Sequence, residues 1–155
     1  AVVALAFAPM SFGPMQFRVA EILTTPFIVW FGYIGSFALL VSSLAAMFSA
    51  PFVGMEILWN LVTFILWGIV PVLLVKKIGR SSKTYMIVAT YIALITGVWV
   101  SLMLTTLYQI PFIGLLIWIS AAELVTMDIL GAMLYKAATP LIKGWLPPLP
   151  SSKDE

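Results

Sequence analysis

The residues able to do chemistry in this chain are few and fall in three groups. Gln16, Arg18 and Glu21 lie within six residues of one another in "SFGPMQFRVAEI", Ser11–Ile22. Together they offer hydrogen-bond donors and acceptors. Arg18 and Glu21 are three apart and share a face of a helix, where they pair locally, contact a ligand, or do both. Glu56 and Asn60 are one helical turn apart, and Glu56 opens an apolar run, where an anion suits the N-terminal end of a helix. Glu123 lies inside the last long apolar run, with Asp128 five residues on. On a regular α-helix that spacing turns them roughly 140° apart, so they do not share a face. Asp128 then meets an interhelical cation or a partner subunit.

These types point to binding rather than catalysis. The chain has no His and no Cys. That excludes imidazole bases, thiolate nucleophiles, disulfides and the common zinc sites, and no cofactor or metal is expected. Two acids facing apart are a poor catalytic pair, so an enzyme is not expected. No Gly-x-x-x-x-Gly-Lys-Ser/Thr loop occurs, so energy from ATP has to come from another subunit.

The elements that must position these groups are membrane helices. Of 155 residues, 63% are hydrophobic and 9% charged, with a mean hydropathy of +1.13. Soluble domains carry about 25% charged residues, and a domain of this size still exposes roughly 30% of its chain surface. Lipid as solvent removes that conflict and demands helices or a closed barrel. The apolar runs lack period-2 alternation, so helices are expected. The runs are Ile22–Phe48, Glu56–Val75, Thr84–Leu107 and Phe112–Tyr135. Ala1–Ala8 reads as the outer end of a truncated first helix. Residues 1–146 are expected as one transmembrane helical domain and 147–155 as a polar C-terminal tail. The pairs Ala4/Ala8, Ser42/Ala46 and Ala89/Ala93 have the spacing that lets helices approach closely.

The cations set the orientation. "KKIGRSSK", 76–83, holds four cations and no anion, and such loops stay cytoplasmic. Runs 84–107 and 112–135 fit as one hairpin between that loop and the cations after Tyr135. The net charge of +2 sits in loops rather than on a soluble face, so nucleic acid is not an expected partner. The 27 residues of Ile22–Phe48 are long for one span and short for two, since about 20 residues cross comfortably. One tilted helix puts "QFRVAE" inside. Two helices broken near Gly32-Tyr-Ile-Gly35 put it outside, near Glu56. The pattern leaves both open.

Glu123 is the costliest residue in this scheme. It lies twelve residues into its run, about 18 Å from the turn at Tyr108–Pro111. A charge at such depth costs about 2.5–3.5 kcal/mol on the lenient insertion scale. It is either a neutral helix–helix contact or an acceptor for a ligand.

"APMSFGPMQFRVAEIL", Ala8–Leu23, resembles the hallmark segment of the QueT family. These are the substrate-binding S components of energy-coupling factor (ECF) transporters assigned to queuosine precursors. The family segment runs Ala-Pro-(Leu/Ile)-Ser-(Phe/Tyr)-Gly-x-(Ile/Met)-Gln-(Phe/Val)-Arg-(Val/Ile)-Ser-Glu, and this chain departs from it at Ala20, where Ser is usual, and by the apolar exchange at Met10. "AAELVTMDILG", Ala121–Gly131, resembles the family's last helix, with a small residue before a Glu and a Gly eight residues later.

The resemblance implies an all-α integral membrane protein in the cell membrane, a six-helix bundle with the first helix truncated. Both termini are then cytoplasmic, the pocket faces outward, and Ile22–Phe48 forms two helices. It places Gln16, Arg18 and Glu21 at the outer mouth beside Glu56, under a Pro9–Pro14 lid. The implied ligand is a 7-deazaguanine. Glu123 would accept the two donors of its guanine-like edge, and Gln16, Arg18 or Asn60 would serve its carbonyl. Phe17, Trp59, Tyr108 and Trp118 are candidate walls for its ring. The implied partners are this small-molecule substrate, a membrane coupling subunit and the ATPase subunits of an ECF module. An S component for a different vitamin-like molecule and a purely structural membrane subunit are the alternatives.

Overall fold

The computed structural model describes residues 19–47 and 53–147. The described backbone is helical almost throughout and includes no strand. A 3-10 turn, Val19–Leu23, leads into α1, Thr24–Phe31. Gly32 follows with φ +57°, a backbone state that residues with a Cβ seldom adopt. α2 then runs over Tyr33–Met47. A Cβ at Gly35 would overlap the Phe27 carbonyl and lie 3.2 Å from Phe31 Cβ. Residues eight apart on a continuous helix are separated by about 12 Å of rise, so the chain folds back at Gly32. Of the two readings of Ile22–Phe48, the pair of short helices is the one that forms.

α3, Val53–Phe64, continues through a π-helical segment, Ile65–Ile69, into α4, Val70–Ile78. The wide turn has a local cause. Pro71 carries no N–H, and its ring crowds the carbonyl four residues back, that of Trp67. The backbone widens there, and the Val70 N–H bonds to the Ile65 carbonyl, five residues back. Ser36 Oγ on α2 donates to the Gly68 carbonyl at 3.2 Å.

α5 is the longest element, Ser82–Tyr108. Ser81 caps it by accepting the Thr84 N–H at 3.0 Å, and Gln109 closes it in the left-handed region at φ 57°. After Pro111 comes α6, Phe112–Glu123, then a second π segment, Leu124–Leu130, then α7, Gly131–Ile142, and a 3-10 turn, Lys143–Trp145. Among the described residues, three stretches are long and apolar enough to span a membrane: Leu61–Ile78, Ser82–Thr106 and Phe112–Trp145. The protein is an all-α membrane protein. Its outer surface carries Ile34, Phe37, Leu58, Ile113 and Ile117, each more than half exposed, as lipid-facing residues should be.

α5 is the hub of the packing, and it packs most extensively against α6. A Cβ at Gly97 would overlap Ser120 Oγ and lie 3.2 Å from Ser120 Cα, so the two backbones run nearly in contact. Ala89 and Ala93 are fully buried on α5; Ala4, Ala8 and the Ala46 side chain lie outside the described residues. An aromatic stack crosses three helices. Trp30 of α1 stacks on Tyr135 of α7 at 5.7 Å, and Tyr135 on Tyr85 of α5 at 4.6 Å. Trp30 Nε1 also donates to Thr139 Oγ1 at 2.9 Å.

Two contacts fix which ends of the helices lie together. Lys76 Nζ sits 4.6 Å above the Tyr33 ring, a cation–π arrangement. Arg80 donates through Nε to the Val29 carbonyl at 3.1 Å and through Nη1 to the Pro147 carbonyl at 2.5 Å. The Gly32 turn, the 76–83 loop and the start of the C-terminal tail therefore share one basic end. The turn at 109–111, the last turn of α2 and the first turn of α3 belong to the opposite end.

Candidate ligand-binding site

The last helical rod is interrupted where it carries its acids. Glu123 closes α6 and is 5% exposed. Directly after it the backbone widens into Leu124–Leu130, where Gly131 N–H bonds to the Thr126 carbonyl, five residues back. No proline explains this π segment. Thr126 donates its hydroxyl to the Ala122 carbonyl at 2.8 Å, a back-bond that competes with the regular ladder. Wide turns of this kind recur at functional sites.

The π segment also alters the relation of Glu123 to Asp128. Five residues make slightly more than one full turn of such a backbone, so the two acids are closer in azimuth than α-helical spacing implies. Asp128 Oδ2 accepts the Thr90 hydroxyl of α5 at 2.8 Å. Asp128 thus meets a neutral donor on a neighbouring helix; no cation is seen at this contact among the described residues.

Glu21 lies opposite this interruption. It is on the Val19–Leu23 turn, is 7% exposed, and its turn packs against Leu124–Leu130 and against α7. A small residue makes this possible. A Cβ at Gly131 would stand 3.2 Å from the Ile22 carbonyl and overlap Tyr85 Oη. That hydroxyl, on a side chain 1% exposed, donates to the Met127 carbonyl at 2.7 Å. Gly131 therefore lets the segment bearing Glu21 seat against the π segment that follows Glu123.

Depth matches as well. Glu21 precedes the Gly32 turn by eleven residues, about 16–18 Å of helix from the basic end. Glu123 lies about 18 Å from the opposite end. Across a core of roughly 30 Å both carboxylates fall near the middle. Glu21 is accordingly buried among helices rather than on an open outer rim.

The other expected residues are placed less fully. Glu56 and Asn60 are on α3, and their side chains lie outside the described residues. Their neighbour Trp59 meets Trp99 of α5 with ring centroids 4.5 Å apart, and Trp99 Nε1 points to the Trp59 carbonyl at 3.4 Å. Gln16, Arg18, Phe17 and the Pro9–Pro14 segment lie outside the described residues, as does the Tyr108 side chain. Trp118 is 50% exposed, which favours a lipid-facing role over a pocket wall. Sequence reasoning missed Trp99, Tyr85 and the Thr90–Asp128 bond. An aromatic or hydroxyl residue in an apolar run gives no sign of which face it will occupy until partner helices are known.

Neither a curated protein nor a solved structure matches the chain. A family model described as QueT transporter matches residues 1–140, which takes in both segments that carry the acids just described. That is a family of transporters and not of enzymes. The chain belongs to the QueT transporter family.

Proposed function

We propose that the protein is the substrate-binding S component of an ECF transporter and that it captures a queuosine precursor of the 7-deazaguanine type. The observation that carries this reading is the seating of the Glu21 turn against the widened backbone after Glu123, with both carboxylates buried near mid-depth. Ionisable groups at such depth are costly and are characteristically functional. A guanine-like edge presents two adjacent donors, which one carboxylate can accept in parallel. A second carboxylate suits an aminomethyl cation on the same ligand. The proposed binding set is Glu123 and Glu21 at mid-depth together with Gln16, Arg18, Glu56 and Asn60.

In this proposal the basic end, with Lys76, Lys77, Arg80 and Lys83, faces the cytoplasm, as do both termini. The pocket then opens outward in the cell membrane. A membrane coupling subunit and ATPase subunits supply the energy, since the chain has no phosphate loop.

The test is to purify the protein, extract its small molecules and identify them by mass spectrometry, then measure thermal stabilisation by 7-deazaguanines. A co-purifying 7-deazaguanine that raises the unfolding temperature supports the assignment. A different vitamin-like molecule in that role would replace the ligand but keep the transport class. No stabilisation by any small molecule would favour a structural subunit.

A further inference from the structure

The basic end carries a second feature that the transport reading does not use. A cleft of about 240 Å³ lies between the first turn of α5 and the middle of α7, lined by Ser82, Lys83, Tyr85, Met86, Ala132, Tyr135 and Lys136. Lys83 and Lys136 come from different helices and flank it, both exposed. Among the described residues neither lysine meets a carboxylate. The floor is tyrosine. Tyr85 and Tyr135 are 1% and 5% exposed and are stacked on each other, so the cleft has a rigid base.

What continues from the cleft along the helices is apolar. Met86 and Ile87 on α5 are 41% and 40% exposed, and Met133 on α7 and Ile129 on the π segment before it are 66% and 56% exposed. Met86 lies three residues from Lys83, and Met133 three from Lys136, each about one turn deeper along a spanning helix. The surface is therefore amphiphilic along the membrane normal, with two cations and a hydroxyl at the polar end and an apolar strip leading into the bilayer.

From this arrangement we infer that the cleft is a binding site for an anionic phospholipid, its phosphate held between Lys83 and Lys136 and its acyl chains laid along Met86 and Met133. Ser82 offers a hydroxyl donor to the same phosphate. A basic pocket between spanning helices is the recognised setting for anionic headgroups. A free phosphate would use the same lysines, but it gains nothing from the apolar strip.

The inference does not depend on the identity of the transported ligand. The full chain is purified in a neutral detergent, loaded with phosphatidylglycerol or phosphatidylcholine, and read by native mass spectrometry for lipid retained after washing. Phosphatidylglycerol should be retained in preference to phosphatidylcholine. The double variant Lys83→Gln/Lys136→Gln should lose about tenfold to thirtyfold of that affinity, since each Lys near an anionic surface contributes about 1 kcal/mol. Lys77→Gln/Lys143→Gln removes two exposed cations that do not line the cleft, and retention should be unchanged. Equal losses in the two double variants would reduce the effect to net charge and overturn the site. Inorganic phosphate displacing the lipid at equal concentration would assign the cleft to a soluble anion and overturn the lipid reading. Full retention by Lys83→Gln/Lys136→Gln would also overturn it.

Discussion

Gly131→Ala tests whether the approach between Val19–Leu23 and the last helical rod is as tight as described. The added methyl would overlap Tyr85 Oη, and it would stand 3.2 Å from the Ile22 carbonyl and 3.4 Å from the Thr126 carbonyl. Two of these three neighbours are backbone and cannot swing aside. Tyr85 cannot move easily either, because it is buried and stacked against Tyr135. Displacing its hydroxyl breaks the 2.7 Å bond to Met127, and an orphaned buried polar group costs about 1–3 kcal/mol. Overpacking adds about 1–3 kcal/mol, while Ala gains about 1 kcal/mol over Gly in a helix. The net loss should be about 1–5 kcal/mol, or roughly 2–20 °C in unfolding temperature for a chain of this size. Thermal unfolding in detergent measures it. Tyr85→Phe removes the clashing atom, so Gly131→Ala in that background should cost less than about 1 kcal/mol, and the cycle isolates the coupling. Equal losses in both backgrounds, or an unfolding temperature for Gly131→Ala matching the parent, would refute the close approach and with it the seating of the Glu21 turn.

Three further outcomes are expected. Glu123→Gln replaces an acceptor oxygen with a donor facing the ligand's own donors, and 7-deazaguanine affinity should fall by roughly tenfold to several hundredfold; an analogue lacking the exocyclic amine should lose affinity for the parent but much less for the variant, and titration calorimetry showing parent-like binding of both ligands would return Glu123 to a helix–helix contact. Arg18→Ala should weaken ligand binding while leaving the apo unfolding temperature unchanged; undiminished affinity would make the segment a charge-neutral anchor. Ser82→Cys should react with an impermeant maleimide only from the cytoplasmic side of intact cells versus inverted vesicles, and efficient labelling from outside would invert the proposed topology.

The fold class was legible because hydropathy is additive along the chain. Long apolar runs separated by Pro, Gly and a basic loop admit few arrangements in lipid. The Ile22–Phe48 run was ambiguous for a physical reason. Its length fits either solution, and what decides it is a backbone-to-backbone fit of Gly35 against Phe27 across the Gly32 reversal, a tertiary contact that hydropathy does not encode. Pro71 signals its π segment locally, through a missing donor. The Leu124–Leu130 segment has no such flag, because Thr126 is equally at home in a regular helix. For that reason regular α-helical spacing overstates the angle between Glu123 and Asp128, because the backbone between them is π-helical.

The burial of Glu21 bears on how the transport reading would work. A carboxylate on an open rim would be hydrated and would gain little from a ligand. Held near mid-depth on a short 3-10 turn, it has left water behind in the folded state, so a ligand donor or cation meets it with little further desolvation. The elements that hold it there are rigid: the Gly131 approach, the Tyr85 bond to Met127, and the aromatic stack through Tyr135 to Trp30. The same stack forms the base of the basic-end cleft. A ligand at Glu21 and a lipid at Lys83 and Lys136 would therefore press on one shared column, Tyr85 and Tyr135, from two sides. If both sites exist as proposed, Tyr85→Phe should weaken each without lying in direct contact with the deazaguanine. Coupling between them should appear as a change in ligand affinity when phosphatidylglycerol replaces phosphatidylcholine, with the reciprocal change in lipid retention required by linkage.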